Sequence, residues 1–477
     1  MKTETVRPSP DHGLIPLSPL PRGTAEFLLL LLAILPRAAA TLWLALDPAR
    51  AFLAGDGHEY WALSESLLTD GTLNFPEFGL LRTPFTRTPG YPLFLAAIRA
   101  LCPGGDNAEL LGIACVQGLL SAWTLLLAYR MAIRIWSDAP THRIAILFAL
   151  YALDLGAATF GCLLMSETLF TFLWILSGAL LLPALCASYS HPPWPRLWLT
   201  LLATLLLAGA ALVRPIGQLL VLPVLPAVAW TFHRCHGIRW SACATLLSLA
   251  VFSLPLTGWS LRNAALGGPF ALSSVPSVNM LLYAEEVESP SSSGPEIWAR
   301  VHQKAEQMLA TTDSPKDWFR AMAIHGRERL LSDPPRLISA VLRGCLQTAI
   351  SPPYAVLPFL GWPDEQIKPL SSPADLVEGF RNQPALSLVR LAAMLVSALL
   401  CTLALASFLT QRRIWSDPWL LTLLGWTAMH TLLSALSGGG RMRIPIQAWI
   451  FIFAAGMLIS GFRLKPICCV MQARSEP

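Results

Sequence analysis

The feature that most constrains this chain is a succession of long apolar segments that contain few charges. Hydrophobic residues make up 54% of the 477 residues and charged residues 13%, and the mean hydropathy is +0.54. Soluble domains carry about 25% charged residues, whereas a helix that spans a bilayer needs about 20 successive, mostly apolar residues. The sequence therefore predicts a polytopic membrane protein rather than a soluble one.

Segments of the required length and hydropathy occur about ten times along the chain. They cover residues 27–46, 109–131, 144–162, 166–185, 197–213, 216–232, 240–258, 385–409, 418–436 and 444–461. Two further apolar runs, one ending near residue 101 and one at 336–350, are interpreted as helices that lie on the membrane surface. The predicted fold class is an all-α polytopic membrane protein, with about ten transmembrane helices and with interfacial helices in its outer loops.

Basic residues in the short loops predict the orientation of the chain. Even numbers of spans place the basic N-terminal segment on the same side as most basic loop residues, including Arg130, Arg234 and Arg412. By the positive-inside rule, this side is cytoplasmic. Both termini are then cytoplasmic, and the two long polar segments, 47–108 and 259–384, face outward.

The same pattern predicts the domain organisation. Residues 1–25 are Pro-rich and are predicted to form a disordered cytoplasmic tail, residues 26–463 a single transmembrane domain, and residues 464–477 a second tail. Within the outer segment 259–384, amphipathic helices are predicted around 296–310 and 315–331. We interpret that segment as a lid over a cavity rather than as an independent domain.

Three carboxylates lie at outward ends of predicted spans. Asp56 and Glu59, in the sequence GDGHEY, are three residues apart, so they project from nearly the same face if the segment is helical. Glu167, in LLMSETLF, lies at the start of the fourth predicted span. Carboxylates in such a position can act as a general base, hold a divalent cation or simply be solvated. The residues alone leave these roles open.

Four arginines fall at outward ends of spans, against the orientation rule. They are Arg214 in LVRPIG, Arg262 in WSLRN, and Arg441 and Arg443 in GGGRMRIP. A single arginine in this position commonly snorkels to the headgroup region. Four at the same depth favour a shared role in binding phosphate, because a guanidinium group grips phosphate oxygens through two hydrogen bonds. We therefore predict a site for a lipid phosphate at the outer face.

Several of these motifs, taken in order, carry a family resemblance. The sequences GDGHEYWALSESLL, RTPGYPLFLA, LMSETLF, VRPIG, WSLRNAALGGPFALSS and RMRIPI run from the first predicted span to the last. In this order the chain resembles the GT-C class of integral-membrane glycosyltransferases, especially bacterial relatives of the protein mannosyltransferase and lipid A aminoarabinose transferase group. The resemblance implies an enzyme of the plasma membrane, the bacterial inner membrane in particular, with its active site facing outward.

The resemblance also implies roles for the site residues. The catalytic aspartate of the family's first outer loop corresponds to Asp56, which would take the proton from an acceptor hydroxyl. The donor would be a sugar on a polyprenyl phosphate, with its phosphate held by the four arginines, and the acceptor would be a protein, a lipid or a glycan. Glu59 and Glu167 would position the acceptor or bind a divalent cation. Arg87, Tyr91 and His58 are expected to support the site. The chain has Asp-Gly where many members have Asp-Glu, so the second carboxylate and the metal remain open.

Two other functions use the same kind of residues. A glycan polymerase or ligase with a diphosphate-linked lipid donor would also carry arginines on its outer face. A polytopic transporter or flippase would use intramembrane charges, but it would more often show paired repeats and helices broken at the midplane, and the two halves of this chain show no convincing repeat. Membrane lipids are predicted partners in all three cases, and nucleic acid in none.

Overall fold

The computed structural model describes residues 22–53, 55–75, 83–186, 192–289, 292, 294–351, 355–362 and 373–458. Within these ranges the chain forms α-helices and short 3₁₀ helices, with no β-strand. Seven of the helical segments are long and apolar enough to cross a membrane. The predicted fold class, an all-α multi-pass membrane protein, is thus confirmed.

The helices are numbered in chain order. They are α1 Arg22–Leu46, α2 Asp56–Thr69, α3 Gly90–Leu101, α4 Asp106–Ile135, α5 Thr141–Ala152, α6 Leu155–Phe160, α7 Glu167–Cys186, α8 Pro193–Val213, α9 Val221–His236, α10 Ile238–Ala265, α11 Val275–Glu288, α12 Gly294–Leu309, α13 Pro315–Ser332, α14 Pro334–Ile350, α15 Val356–Phe359, α16 Pro373–Asn382, α17 Pro384–Thr410, α18 Arg412–Ser416, α19 Pro418–Ser434 and α20 Gln447–Ala454. Short 3₁₀ helices cover Pro48–Phe52, Pro215–Leu219, Gly440–Ile446 and Ala455–Leu458.

The seven candidate spans match seven of the predicted apolar segments. They are α1, α4, α7, α8, the segment Pro215–His236, α10 and α17. Of the other three predicted spans, 418–436 forms the shorter helix α19, and 444–461 begins as a 3₁₀ helix before α20. The remaining one, 144–162, is divided into α5 and α6. The number of about ten spans therefore stays a prediction.

The division between α5 and α6 is explained by two charged residues. The side chain of Asp154 caps α6 and accepts a hydrogen bond from the backbone nitrogen of Ala157 at 2.6 Å. Arg37, buried in α1, donates to the carbonyl oxygen of Ala152 at 2.6 Å, where α5 ends, and to the Ser121 hydroxyl at 3.1 Å. Where α5 ends and α6 begins, some backbone groups have no partner within a helix. The two charged side chains supply hydrogen bonds to these groups.

The segments that are predicted to face outward form the helices that the sequence predicts. The run ending near residue 101 forms α3, and 336–350 lies within α14. The predicted amphipathic helices correspond to α12 and α13, which pack with α11 around a small apolar core that is separate from the main one. Phe85 belongs to this smaller core, so the loop before α3 is attached to the α11–α13 unit.

The predicted tails lie almost entirely outside the described residues. Residues 1–21 and 459–477 are among those that the structure does not describe. Because α1 begins at Arg22, residues 22–25 are helical rather than part of the predicted tail. The remaining domain boundaries stay predictions.

The contact between α14 and α19 has no room for a side chain at Gly344. A methyl group there would lie 1.6 Å from the carbonyl oxygen of Ala435, whereas one at Gly258 in α10 would meet nothing within 4 Å. We expect Gly344→Ala to lower the free energy of unfolding by about 1–3 kcal/mol through overpacking. Gly258→Ala, the control, should leave it unchanged or raise it by about 0.5–1 kcal/mol. Thermal unfolding in detergent measures both, and equal melting temperatures for the two variants would refute this packing.

Candidate active site

The three predicted carboxylates form one continuous chain of ion pairs with three of the predicted arginines. Glu59 binds Arg87 at 2.7 Å, and Arg87 binds Asp56 at 2.6 Å. Asp56 binds Arg441 at 2.8 Å, and Arg441 binds Glu167 at 2.6 Å. Glu167 also binds Arg214 at 2.6 Å. The site therefore alternates three carboxylates with three guanidinium groups, whose formal charges cancel.

Asp56 and Glu59 are positioned by the start of α2. Both lie in the first turn of this helix, where the helix dipole favours negative charge. This turn packs against the segment before α7: a methyl group at Gly57 would lie 3.4 Å from the Cβ atom of Leu164, at van der Waals contact. The backbone nitrogen of Leu164 also donates to the carbonyl oxygen of Ala51 at 2.9 Å. These contacts bring the beginnings of α2 and α7 together.

Glu167 is the most buried member of the chain of ion pairs. Its side chain is 0% exposed and lies in the first turn of α7. A single oxygen, Oε1, accepts a hydrogen bond from Arg441 and makes the ion pair with Arg214, while Oε2 has no hydrogen-bond partner among the described residues. Arg214 reaches this oxygen from the end of α8. Pro215 follows it, and a residue before proline is kept out of the helical conformation, so the backbone of Arg214 is extended.

A glycine turn positions Arg441. Gly438 and Gly439 have φ values of +59° and +82°, which side chains with a Cβ atom rarely adopt. The chain can therefore reverse after α19 and enter the 3₁₀ helix Gly440–Ile446 with Arg441 directed at the carboxylates. Its Nε atom donates to Glu167 and its Nη2 atom to Asp56. Arg441 thus joins the start of α2 to the start of α7.

The arginines determine the protonation of Asp56. Burial alone would raise the pKa of this carboxyl, but the positive charges of Arg87 and Arg441 and their hydrogen bonds lower it further than burial raises it. The net effect is a pKa well below the usual range, with each carboxylate oxygen bound to a different arginine. Asp56 is therefore ionised at neutral pH and held in one orientation.

Two of the four predicted phosphate-binding arginines lie apart from this cluster. Arg262 donates to the carbonyl oxygen of Pro84 at 2.6 Å and stacks on the ring of Trp259. Arg443 is buried and donates to three carbonyl oxygens at the end of α14, those of Thr348, Ala349 and Ser351. Both guanidinium groups satisfy backbone carbonyls. The sequence predicts that these two arginines share a phosphate site with Arg214 and Arg441. In the structure they bind backbone carbonyl oxygens instead.

The three predicted supporting residues have different surroundings. Arg87 lies inside the cluster, and its guanidinium group is 5.1 Å from the centre of the Tyr60 ring. Tyr91 is fully buried and donates to the side chain of Gln117 at 2.9 Å, and Gln117 in turn binds the backbone that precedes α7. His58 is exposed and stacks on Phe52 at 4.5 Å. Of the three, Arg87 alone contacts Asp56 within the described part of the chain.

Two residues that sequence reasoning missed, Tyr283 of α11 and Ser437 after α19, meet beside the Arg441 loop. The hydroxyl groups of Tyr283 and Ser437 are hydrogen-bonded, and Ser437 precedes the glycine turn of Arg441. Tyr283 interacts electrostatically with Arg214, Arg441 and Glu286. No motif surrounds these residues, and the only signal in the sequence is that α11 ends in a run of acidic residues.

The donor set does not suit a divalent cation in this arrangement. Both oxygens of Asp56 and one oxygen of Glu167 are bound to arginines, so the carboxylates face guanidinium groups rather than one another. Among the described residues, no three side chains of the metal-binding types converge. A cation held by Glu59 and Glu167, the alternative that the sequence leaves open, would require the ion pairs to separate.

Comparison with known proteins gives a likeness of fold. No family model matches the chain, and no curated protein matches it. The chain is similar to the oligosaccharyltransferase AglB of Archaeoglobus fulgidus, in complex with an inhibitory peptide and a dolichol-phosphate, with 12% identity over 91% of this chain and 50% of the other, and a TM-score of 0.48. It is also similar to ArnT of Cupriavidus metallidurans bound to undecaprenyl phosphate, with 12% identity over 92% and 77% of the two chains, and a TM-score of 0.34.

At TM-scores of 0.48 and 0.34, these likenesses do not decide the family of this chain. The chain spans about half the length of the archaeal oligosaccharyltransferase structures that it matches. At identities of 12–13% the likeness describes the fold alone. The function of this chain therefore has to follow from the geometry of its site.

The burial of Glu167 leads to a prediction about stability. Glu167→Gln removes the buried negative charge that Arg214 and Arg441 share. We expect a loss of about 3–5 kcal/mol in the free energy of unfolding, because Arg214 loses the carboxylate that it binds and Arg441 keeps only Asp56 of its two. Glu59→Gln, at a side chain that is 19% exposed, should cost on the order of 1 kcal/mol. Denaturant unfolding followed by tryptophan fluorescence measures both losses. A smaller loss for Glu167→Gln than for Glu59→Gln would contradict the arrangement.

Proposed function

We propose that this protein is a membrane glycosyltransferase that moves a sugar from a polyprenyl-phosphate-linked donor to an acceptor, with inversion at the anomeric carbon. The observation that carries the proposal is the position of Asp56 between Arg87 and Arg441, in a cluster that also contains Arg214. Such a site combines an oriented carboxylate with cations that can stabilise a leaving phosphate.

Arg214 and Arg441 are the proposed phosphate-binding residues. The side chain of each is 17% exposed, so each keeps an edge that an incoming anion can reach. A guanidinium group has five N–H donors. Only Nη1 of Arg214 is used in the bonds to Glu167 and Ser166 described for it. A phosphate can therefore join the cluster on the exposed edges of both arginines, with the polyprenyl tail lying among the apolar helices.

The proposed reaction is a single displacement. The acceptor oxygen attacks the anomeric carbon, the bond between that carbon and the phosphate oxygen breaks, and the electron pair leaves with the polyprenyl phosphate. The arginines stabilise the negative charge that develops on the leaving oxygen. Asp56 accepts a hydrogen bond from the acceptor hydroxyl and draws its proton away as the new bond forms. Glu59 and Glu167 hold Arg87, Arg441 and Arg214 in place for this step.

The proposal includes the location of the site. The cluster involves the first residues of α2 and α7 and the residue that follows α8, at the ends of the apolar segments rather than in their middle. With the predicted orientation, these ends face outward and both termini are cytoplasmic. The membrane would be a plasma membrane, the bacterial inner membrane in particular. The acceptor belongs to the class of hydroxyl-bearing proteins, lipids or glycans on that side.

The role of Asp56 is tested by Asp56→Asn. In membranes supplied with a labelled polyprenyl-phosphate sugar and a crude acceptor extract, we expect this variant to lose transfer by at least about 100-fold, because an amide cannot draw the proton from the acceptor. Asp70→Asn, at an exposed residue just after α2, is the matched control and should transfer like the wild type. Full transfer by Asp56→Asn would remove Asp56 from the mechanism.

A binding experiment distinguishes the role of Arg441 in the ion-pair cluster from that of Arg443 at the end of α14. Arg441→Ala should weaken the binding of a polyprenyl phosphate by at least about tenfold, since it removes a charged hydrogen-bond donor to phosphate. Arg443→Ala should instead lower the melting temperature, because Arg443 binds the carbonyl oxygens at the end of α14. Arg320→Ala, at an exposed position of α13, controls for the loss of a charge. An unchanged affinity in Arg441→Ala would assign Arg441 to anchoring alone.

A further inference from the structure

The start of α8, the end of α9 and the start of α10 meet on the side of the molecule that the sequence predicts to be cytoplasmic. The indole rings of Trp194 in α8 and Trp240 in α10 contact each other edge to face, with their centres 5.0 Å apart. The ring of His236, the last residue of α9, lies 6.4 Å from the ring of Trp240. Each of the three helices thus contributes one ring to a single aromatic cluster.

Three arginines accompany these rings. Arg196, in the first turn of α8, is 3% exposed and lies within electrostatic range of His236. Arg234, in the last turn of α9, is exposed, and its guanidinium group lies 5.2 Å from the centre of the Trp230 ring. Arg239, the second residue of α10, is also exposed. We call Arg196, Arg234, Arg239 and His236 the basic surface.

The three helices contain no carboxylate that could balance this charge. The sequence has no aspartate or glutamate between Glu167 and Glu285, and α8, α9 and α10 lie entirely within that stretch. On the same predicted side, Arg130 of α4 is instead bound to Glu26 of α1 at 2.7 Å. The positive-inside rule accounts for basic residues on this side, but it does not require that they gather without carboxylates where three helices meet.

The helix dipoles make the position of two of these arginines unfavourable. The N-terminal end of a helix carries positive partial charge, and Arg196 and Arg239 lie in the first turns of α8 and α10. Arg196 is also largely removed from the water that would solvate its charge. A bound anion would relieve both effects, because the arginines and the two helix N-termini all attract it.

The exposed tryptophans indicate which anion reaches this surface. Trp194, Trp198 and Trp230 are all exposed near the ends of apolar helices, which is typical of the headgroup layer of a bilayer. Further along, α8 and α10 expose leucines, among them Leu202 and Leu246. A ligand that fits both parts has a phosphate at the arginines and hydrocarbon along the helices.

We propose that the basic surface binds the headgroup of an anionic phospholipid, which stays bound to the folded protein as a structural ligand. The phosphate accepts hydrogen bonds from the guanidinium groups, and the acyl chains lie along the exposed leucines. Basic pockets between membrane-spanning helices on the cytoplasmic side recognise anionic headgroups in this way.

This site is separate from the one proposed for the sugar donor. Arg214, which is proposed to bind the donor phosphate, follows α8 at its other end, and a helix of 21 residues is about 31 Å long. The two phosphates would therefore lie at opposite ends of α8. The inference does not depend on the proposed function.

Lipid binding to the full chain, purified in detergent and followed by native mass spectrometry, tests the inference. We expect phosphatidylglycerol to bind at least about tenfold more tightly than phosphatidylcholine with the same acyl chains, because only the first lipid carries a net negative charge. The double variant Arg234→Gln and Arg239→Gln should lower the affinity for phosphatidylglycerol by at least about tenfold and leave that for phosphatidylcholine unchanged. Both residues are exposed, so the variant should fold like the wild type.

A matched control and a thermal measurement complete the experiment. The double variant Arg134→Gln and Arg143→Gln removes two exposed arginines on the same predicted side and should bind phosphatidylglycerol like the wild type. Phosphatidylglycerol should raise the melting temperature of the wild type but not that of the Arg234→Gln and Arg239→Gln variant. Inorganic phosphate at the same concentration should leave the melting temperature unchanged, because it lacks the acyl chains.

Three results would overturn the inference. Equal affinities of the wild type for the two lipids would show that the basic surface does not recognise the negative charge. Equal losses of affinity in the two double variants would assign lipid binding to the general positive charge of that side. Protection by inorganic phosphate as strong as that by phosphatidylglycerol would make the ligand a soluble anion. Sugar transfer is not measured in any of these experiments, so each result leaves the proposed function untouched.

Discussion

The arrangement of the site depends on one guanidinium group, that of Arg441, which binds two carboxylates at once. Arg441 lies 385 positions from Asp56 and 274 positions from Glu167 along the chain, yet it donates to both. The start of α2, the start of α7 and the segment after α19 are thus held together by charge-assisted hydrogen bonds in a partly buried place, where such bonds are strong. The opposing charges also hold Arg214 and Arg441 near each other despite their repulsion.

The sequence predicts the position of residues near the ends of membrane-spanning helices, because the bilayer fixes the depth of those ends. Glu167, Arg214 and Arg441 lie at or just beyond ends of apolar helices, and Asp56 begins the helix that follows the first span. A count of spans is therefore enough to bring them to one rim. What the sequence cannot show is which backbone carbonyls lack donors. Arg262 and Arg443 therefore resembled the other two arginines, although each binds carbonyl oxygens of a loop or a helix end.

The break between α5 and α6 and the position of α11 could not be predicted from the order of apolar and polar residues, because both depend on particular hydrogen bonds. The apolar run 144–162 is long enough to span, and only the hydrogen bonds of Asp154 and Arg37 show that it is divided into two helices. Helix α11 is not one of the candidate spans, so no depth in the bilayer fixes its position. The order of its apolar and polar residues does not show which face meets the site. The placement of Tyr283 follows from contacts of α11 and the residues before it with two loops that lie far away along the chain.

The cancellation of charge among the three carboxylates and three guanidinium groups of the cluster has a consequence for how a donor arrives. A cluster with equal numbers of opposite charges produces little field beyond its own neighbourhood, and salt screens what remains within about 8–10 Å. The site therefore exerts little long-range attraction on anionic lipids. A lipid-linked phosphate would reach it by diffusion in the plane of the membrane and would be recognised on contact, so an abundant anionic headgroup at a distance would not compete for the arginines.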